Sequence, residues 1–205
     1  MQLSKNTCEL AIVKSLSNAE GLMTDADLLD KHSRISRAYT LYHLAVEELS
    51  KASKCLLIYN FNDFENKKSL KSLNILFKDH VTKLQKSAEI EMWLVESLID
   101  SNPKAAREIF EQILENKKKA NLFDKLKNYS LYTTYINNTF KNPEEQIKKE
   151  HVAFVKQLAN VRFNLMSSFW NFTKANSDEI LKQDFKNKKI NKGEVIKEYV
   201  EKLLK

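Results

Sequence analysis

Residues 38–59 read AYTLYHLAVEELSKASKCLLIY, and this stretch decides the fold. At about 100° per residue, Ala38, Leu41, Tyr42, Ala45, Leu49, Ala52, Leu56 and Tyr59 fall on one arc of an α-helix. Small side chains at Ala45 and Ala52 allow a second helix to approach closely. Glu48 enters the edge of the apolar arc, while Glu47, Lys51 and Lys54 take the polar side. A carboxylate beside a buried seam is costly unless it is paired, so the helix predicts a basic partner elsewhere in the chain.

Working outward, residues 4–30 carry Ile12, Leu16, Ala19, Met23, Ala26 and Leu29 at three- and four-residue spacing, a second amphipathic helix. The connector at 31–36 is short and polar, which predicts an antiparallel hairpin of the two helices. Residues 60–66 form a turn whose Phe61 and Phe64 tuck back into the core. A third helix is expected over 67–99, and Ser101-Asn102-Pro103 stops it and starts a fourth, ending near Phe123. The segment LKNYSLYTTYINNTF (126–140) is short and aromatic, with Tyr132 and Tyr135 placed one helical turn apart. Asn142-Pro143-Glu144-Glu145 then opens a long helix to about Thr173. Past residue 175 the composition shifts, and residues 181–205 hold eight lysines against four acidic residues. The expected division is a bundle over 1–175 and a lysine-rich helical extension over 176–205.

Two glycines and two prolines in 205 residues leave little material for hairpins or phosphate-binding loops, so the fold class is all-α, an antiparallel helical bundle. The net charge of +7 comes from 30 lysines against 4 arginines. Such lysine faces are chiefly solvated, and the basic tail is the best sequence-independent nucleic-acid candidate. Cys8 and Cys55 are too few and too separated for a disulfide framework or zinc site. No apolar run of membrane-spanning length occurs, so a reduced, cytoplasmic protein without a membrane partner is expected. Nucleophile-elbow, Walker, dinucleotide and HExxH motifs are absent from the sequence.

Three constellations remain. Glu48 with His80 and Lys83 would form an ion network if the second and third helices lie side by side. That network reads first as a register-fixing element, next as a catalytic or ligand-binding site and last, with more carboxylates, as a metal bundle, which no Glu-x-x-His supports. Glu47 pairs with Lys51 at i,i+4, and His43 shares a face with Glu47. Arg37 and His43 are six residues apart, enough for RNA cleavage if the arginine grips the phosphate and the histidine moves the proton. A straight helix sets them about 120° apart, so convergence needs a helix start at Arg37 or a dimer interface. Finally, Tyr129, Tyr132 and Tyr135 with Lys127 offer either a base-stacking surface or a core rim with wet hydroxyls.

Taken together, Asn18-Ala19-Glu20, Ala45-x-Glu47-Glu48-Leu49-x-Lys51, Phe77-x-x-His80-x-x-Lys83 and Leu131-Tyr132 before Asn142-Pro143 resemble the AbiV abortive-infection proteins of the HEPN superfamily. The resemblance covers about residues 15–170. It implies a helical, homodimeric anti-phage effector that arrests the infected cell through RNA or the translation machinery, triggered by a phage-encoded protein. Many HEPN relatives are metal-independent ribonucleases with an Arg-x4–6-His motif in a late helix. Here the match, Arg37 to His43, lies in the second helix. The resemblance carries Glu47, Glu48, Lys51, His80, Lys83 and Tyr132 as candidate site residues and implies no cofactor. The alternative is a helical dimer that inhibits its target by binding only.

Overall fold

The computed structural model describes residues 3–78 and 103–175. Helix α1 spans Lys5–Lys31 and α2 spans Ile35–Asn60, packed as an antiparallel hairpin. Ser4 caps α1 by accepting from the Thr7 N–H at 3.2 Å. Close approach of the pair follows from alanines: Ala19 and Ala26 of α1 and Ala38, Ala45 and Ala52 of α2 are fully buried.

The chain turns corners without glycine. Ser33 (φ 58°) ends α1, with the Arg34 N–H donating to Leu29 O at 2.8 Å and the Ser33 N–H to Asp30 O at 2.9 Å. Asn62 (φ 52°) ends α2 the same way, with the Asp63 N–H on Ile58 O at 3.0 Å. Both are left-handed C-terminal caps, and each satisfies carbonyls that the last helical turn leaves open. Phe61 is buried and Phe64 half-buried, as the turn required.

Helix α3 (Lys67–Lys78) is capped by Asn66, whose side-chain oxygen accepts from the Lys68 N–H at 3.0 Å. The rest of the expected third helix, with His80 and Lys83, and the extension 176–205 lie outside the described residues. Helix α4 starts at Pro103, as its proline dictates, but runs on to Leu131 rather than ending near Phe123. Its inner face continues in register through Ala120, Phe123, Leu126, Lys127 and Ser130, all buried, so nothing in the packing stops it.

The aromatic segment is helical only over residues 126–131, as the end of α4. Strands β1 (Thr134–Ile136) and β2 (Thr139–Lys141) pair antiparallel, with Tyr135 opposite Phe140. Asn137 and Asn138, at φ 51° and 61°, form the two-residue turn, since asparagine tolerates the left-handed region that such turns demand. Tyr132 and Tyr135 are therefore not one helical turn apart. The Asn142-Pro143 signal opens only a single turn, α5 (Pro143–Gln146), in which the Glu145 carboxylate accepts from the Asn142 N–H at 2.7 Å. After a break at Ile147 and Lys148, α6 runs over Lys149–Ala175.

Helix α2 is the axis of the bundle. It touches α1, α3, α4, α5 and α6, and 19 of its 26 residues are buried. A helix covered on all sides must bury its polar residues along with its apolar ones. Tyr59 meets Trp170 of α6 edge-on at 5.5 Å, and Phe123 of α4 stacks on Phe154 of α6 at 5.1 Å. No described helix is long and apolar enough to cross a membrane.

Candidate functional site

Because α2 is enclosed, the carboxylate that enters the interior is Glu47, not Glu48. Glu47 is 3 % exposed and receives Lys127 Nζ of α4 at 3.0 Å. Lys127, itself 6 % exposed, also meets Asp124 Oδ1 at 3.0 Å. Glu48 stays at the bundle's edge, half-buried, and pairs with Lys51 one turn along at 2.5 Å. Among the described residues, the buried carboxylate of α2 thus finds a basic partner on α4. Two charges taken out of water cost several kcal/mol each, so this pair persists only through its close geometry.

His43 lies one turn before Glu47, as the shared face required, but that face is sealed. His43 is fully buried, and its Nε2 is 3.4 Å from Glu47 Oε1. Burial pushes its pKa below 6.5; Glu47 opposes that shift and the Lys127 charge adds to it. The ring is therefore neutral at neutral pH. Its Nδ1 meets no hydrogen-bonding partner among the described residues. Beside it, the Tyr39 hydroxyl donates to Phe123 O at 3.4 Å, and burial with the nearby Asp124 charge raises the phenol's pKa. Thr40 and Ser130 share a 2.6 Å hydrogen bond that continues the polar seam between α2 and α4.

A neutral buried histidine has a testable consequence. The unfolded chain binds a proton at His43 below about pH 6.5 while the native state resists it, so unfolding takes up protons and stability falls with acidification. Urea midpoints should drop between pH 7 and pH 5, and His43→Gln should flatten that drop. An unchanged slope in the variant would remove His43 as its source.

Arg37 stands apart from this cluster. It is exposed, and with Arg34 it borders a pocket of about 450 Å³ lined by Leu29, Thr40, Leu41 and Leu131. The two arginines set positive charge beside an aliphatic floor, while the first turn of α2 already holds a carboxylate, Glu144, which accepts from the Ser36 hydroxyl at 3.1 Å. The structure does not bring Arg37 and His43 into one cleft: one faces solvent and the other the core. Tyr129 is half-buried with Lys125 Nζ 5.5 Å from its ring centre, whereas Tyr132 is 63 % exposed just beyond α4.

The sequence reading missed Asp124 as a partner and Lys127 as the buried cation. Their signal was present: Ala120, Phe123, Lys127 and Ser130 follow one helical stripe, visible once α4 is extended past Phe123. Arg162, which the helical spacing already sets on the inner face of α6, is 2 % exposed in the interior. A further network escaped the sequence reading. Asp27 of α1 accepts from the Tyr42 hydroxyl at 2.5 Å and pairs with Lys156 of α6 at 2.6 Å, which ties three helices together. Burial alone would raise the Asp27 pKa, but Lys156 and Tyr42 more than offset it and hold it low. Among the described residues no three His, Cys, Asp or Glu side chains are grouped as metal ligands would be.

The family model HEPN_AbiV, described as AbiV, matches residues 7–164. That interval takes in α1, α2, the buried cluster, the arginine-rimmed pocket and most of α6. No curated protein and no solved structure matches the chain.

Proposed function

The chain belongs to the AbiV family of HEPN-type proteins, abortive-infection proteins of phage defence, and from that premise we propose that it arrests the infected cell by binding RNA or the translation machinery rather than by Arg37–His43 cleavage. The observation that carries this reading is the complete burial of His43 beside an exposed Arg37. A general acid or base works only within hydrogen-bonding reach of the proton it moves. A neutral imidazole enclosed between α2 and α4 has no such reach to a phosphodiester held at Arg37. Arg34 and Arg37, by contrast, present two outward guanidiniums at one pocket, suited to phosphate groups of an RNA-rich target. The active unit in this reading is a homodimer released by a phage-encoded protein.

The test follows protein synthesis and RNA integrity in phage-infected cells carrying the chain. Amino-acid incorporation is expected to collapse without new RNA ends, and Arg34→Ala/Arg37→Ala is expected to restore it at least tenfold. New RNA ends that vanish with Arg37→Ala would overturn the binding reading in favour of a nuclease. Continued synthesis in infected wild-type cells would overturn the target class itself.

A further inference from the structure

The three most exposed large apolar side chains among the described residues all fall between positions 132 and 140: Phe140 at 73 %, Tyr132 and Tyr135 at 63 % each. Tyr135 and Phe140 lie directly opposite in the β1–β2 hairpin, with ring centres 5.0 Å apart and planes tilted by 53°. Leu131, which walls the arginine-bordered pocket, directly precedes Tyr132. We infer that this end of the bundle binds unpaired RNA, with phosphates at Arg34 and Arg37 and bases stacked on Tyr132, Tyr135 and Phe140. The inference rests on the RNA-binding reading above and narrows it to single strands.

The hairpin itself explains the display. Its Asn137-Asn138 turn sets the register that puts one ring across from the other. A cross-strand aromatic pair steadies a two-stranded ribbon, yet neither ring is covered by the bundle, so each keeps an open face. Such faces accept bases by stacking, whatever the base. Beside them stand Lys141 and the exposed amides of Asn137 and Asn138, cationic and hydrogen-bonding neighbours that suit a nucleic acid over an apolar protein surface. Lys127 and Tyr129 do not belong to this surface: the first is buried against Glu47 and the second is half-buried.

Charge and distance bring the arginines into the same surface. Arg34 and Arg37 are both exposed, on a chain of net charge +7. Tyr135 is four residues past Leu131, so at most about 14 Å of extended chain separates the pocket wall from the ring pair. The nearby carboxylates of α5 are already engaged, Glu144 by the Ser36 hydroxyl at 3.1 Å and Glu145 by the Asn142 N–H at 2.7 Å. A positive track beside aromatic platforms is the arrangement by which proteins hold single strands. A duplex does not fit it. In an A-form helix the bases are stacked on one another and the major groove is too deep and narrow for side chains to enter, so ring faces reach only unpaired bases.

The experiment measures fluorescence anisotropy of a labelled, mixed-sequence RNA of about 12 nucleotides with the full-length purified chain. The same RNA annealed to its complement is the second probe. The single strand should bind at least about tenfold tighter than the duplex. Tyr135→Ala/Phe140→Ala should weaken single-strand binding at least about tenfold. Tyr135→Ile/Phe140→Ile, which keeps apolar, strand-favouring side chains without the rings, should weaken it as much. Salt separates the two kinds of contact. Arg34→Ala/Arg37→Ala should lower the slope of log affinity against log salt by about 1.4, the value for two phosphates of a single strand, while the isoleucine pair should keep the wild-type slope. Equal affinity for duplex and single strand would overturn the inference, and so would wild-type affinity in the isoleucine pair, which would assign the hairpin to a protein partner. In either case a slope that still falls in the arginine variant would leave the phosphate contacts of the parent reading standing. Absence of binding to both RNAs would overturn the inference together with the RNA arm of that reading, and leave its translation-machinery arm to the infected-cell assay.

Discussion

Lys127→Met is expected to destabilise the protein by about 3–5 kcal/mol, the cost of stranding a buried carboxylate. Lys127 is the cation against Glu47 at 3.0 Å, and it also neutralises Asp124 at 3.0 Å. Methionine preserves the aliphatic stem and much of its packing, so the loss isolates the charge. With that cation gone, Glu47 at 3 % exposure loses its charge partner on α4, which favours a proton or a water on the carboxylate. A protonated carboxyl needs no cation, so the penalty should be largest at neutral pH and shrink towards acid. This opposes the wild-type trend set by His43. For a chain of this size the change corresponds to a melting shift of about 2–4 °C per kcal/mol. Urea titrations of both proteins at pH 7.5 and pH 5.5 check it. A penalty below 1 kcal/mol, or one that grows towards acid, would show that Glu47 does not depend on Lys127.

The same cluster marks where the sequence was legible and where it was not. The α1–α2 hairpin could be read because Ile12, Leu16, Ala19, Met23 and Ala26 repeat at helical spacing before a short polar connector. Proline starts were equally plain at Pro103 and Pro143. What periodicity cannot report is how many neighbours a helix has. The apolar arc of α2 was correct, but burial extends around to Ser50, Ser53, His43 and Glu47. A hydrophobic arc finds the face against one neighbour, and α2 has several. Placing Glu47 on the polar side, and Glu48 at the edge of the arc as the carboxylate in need of a partner, followed from that single-face assumption. The Asn137-Asn138 turn was hidden for a different reason: glycine is the usual marker of a two-residue hairpin, and asparagine does the work here.

If α2 is the axis, shortening one of its core side chains should cost far more than the same change on an outer helix. Leu56→Ala is expected to lose about 2–5 kcal/mol, the transfer free energy of the deleted atoms plus that of the cavity left behind. Leu56 is fully buried, next to Cys55, in a shell that cannot easily collapse. Neighbouring Tyr59 is fixed edge-on against Trp170, and Asn60 is held by Thr173, whose hydroxyl donates to its side-chain oxygen at 3.2 Å. The matched control is Leu122→Ala on α4, where the leucine is 49 % exposed and the expected change is within about 0.5 kcal/mol. Urea unfolding followed by near-ultraviolet circular dichroism reports on the tyrosine and tryptophan packing around α2. A difference of less than 1 kcal/mol between the two variants would mean that α2 does not organise this bundle. A difference of several kcal/mol would place its main stabilising contacts on the helix that also carries His43, Glu47 and Arg37, and would tie disruption of that core to loss of both the ionic cluster and the arginine-rimmed pocket.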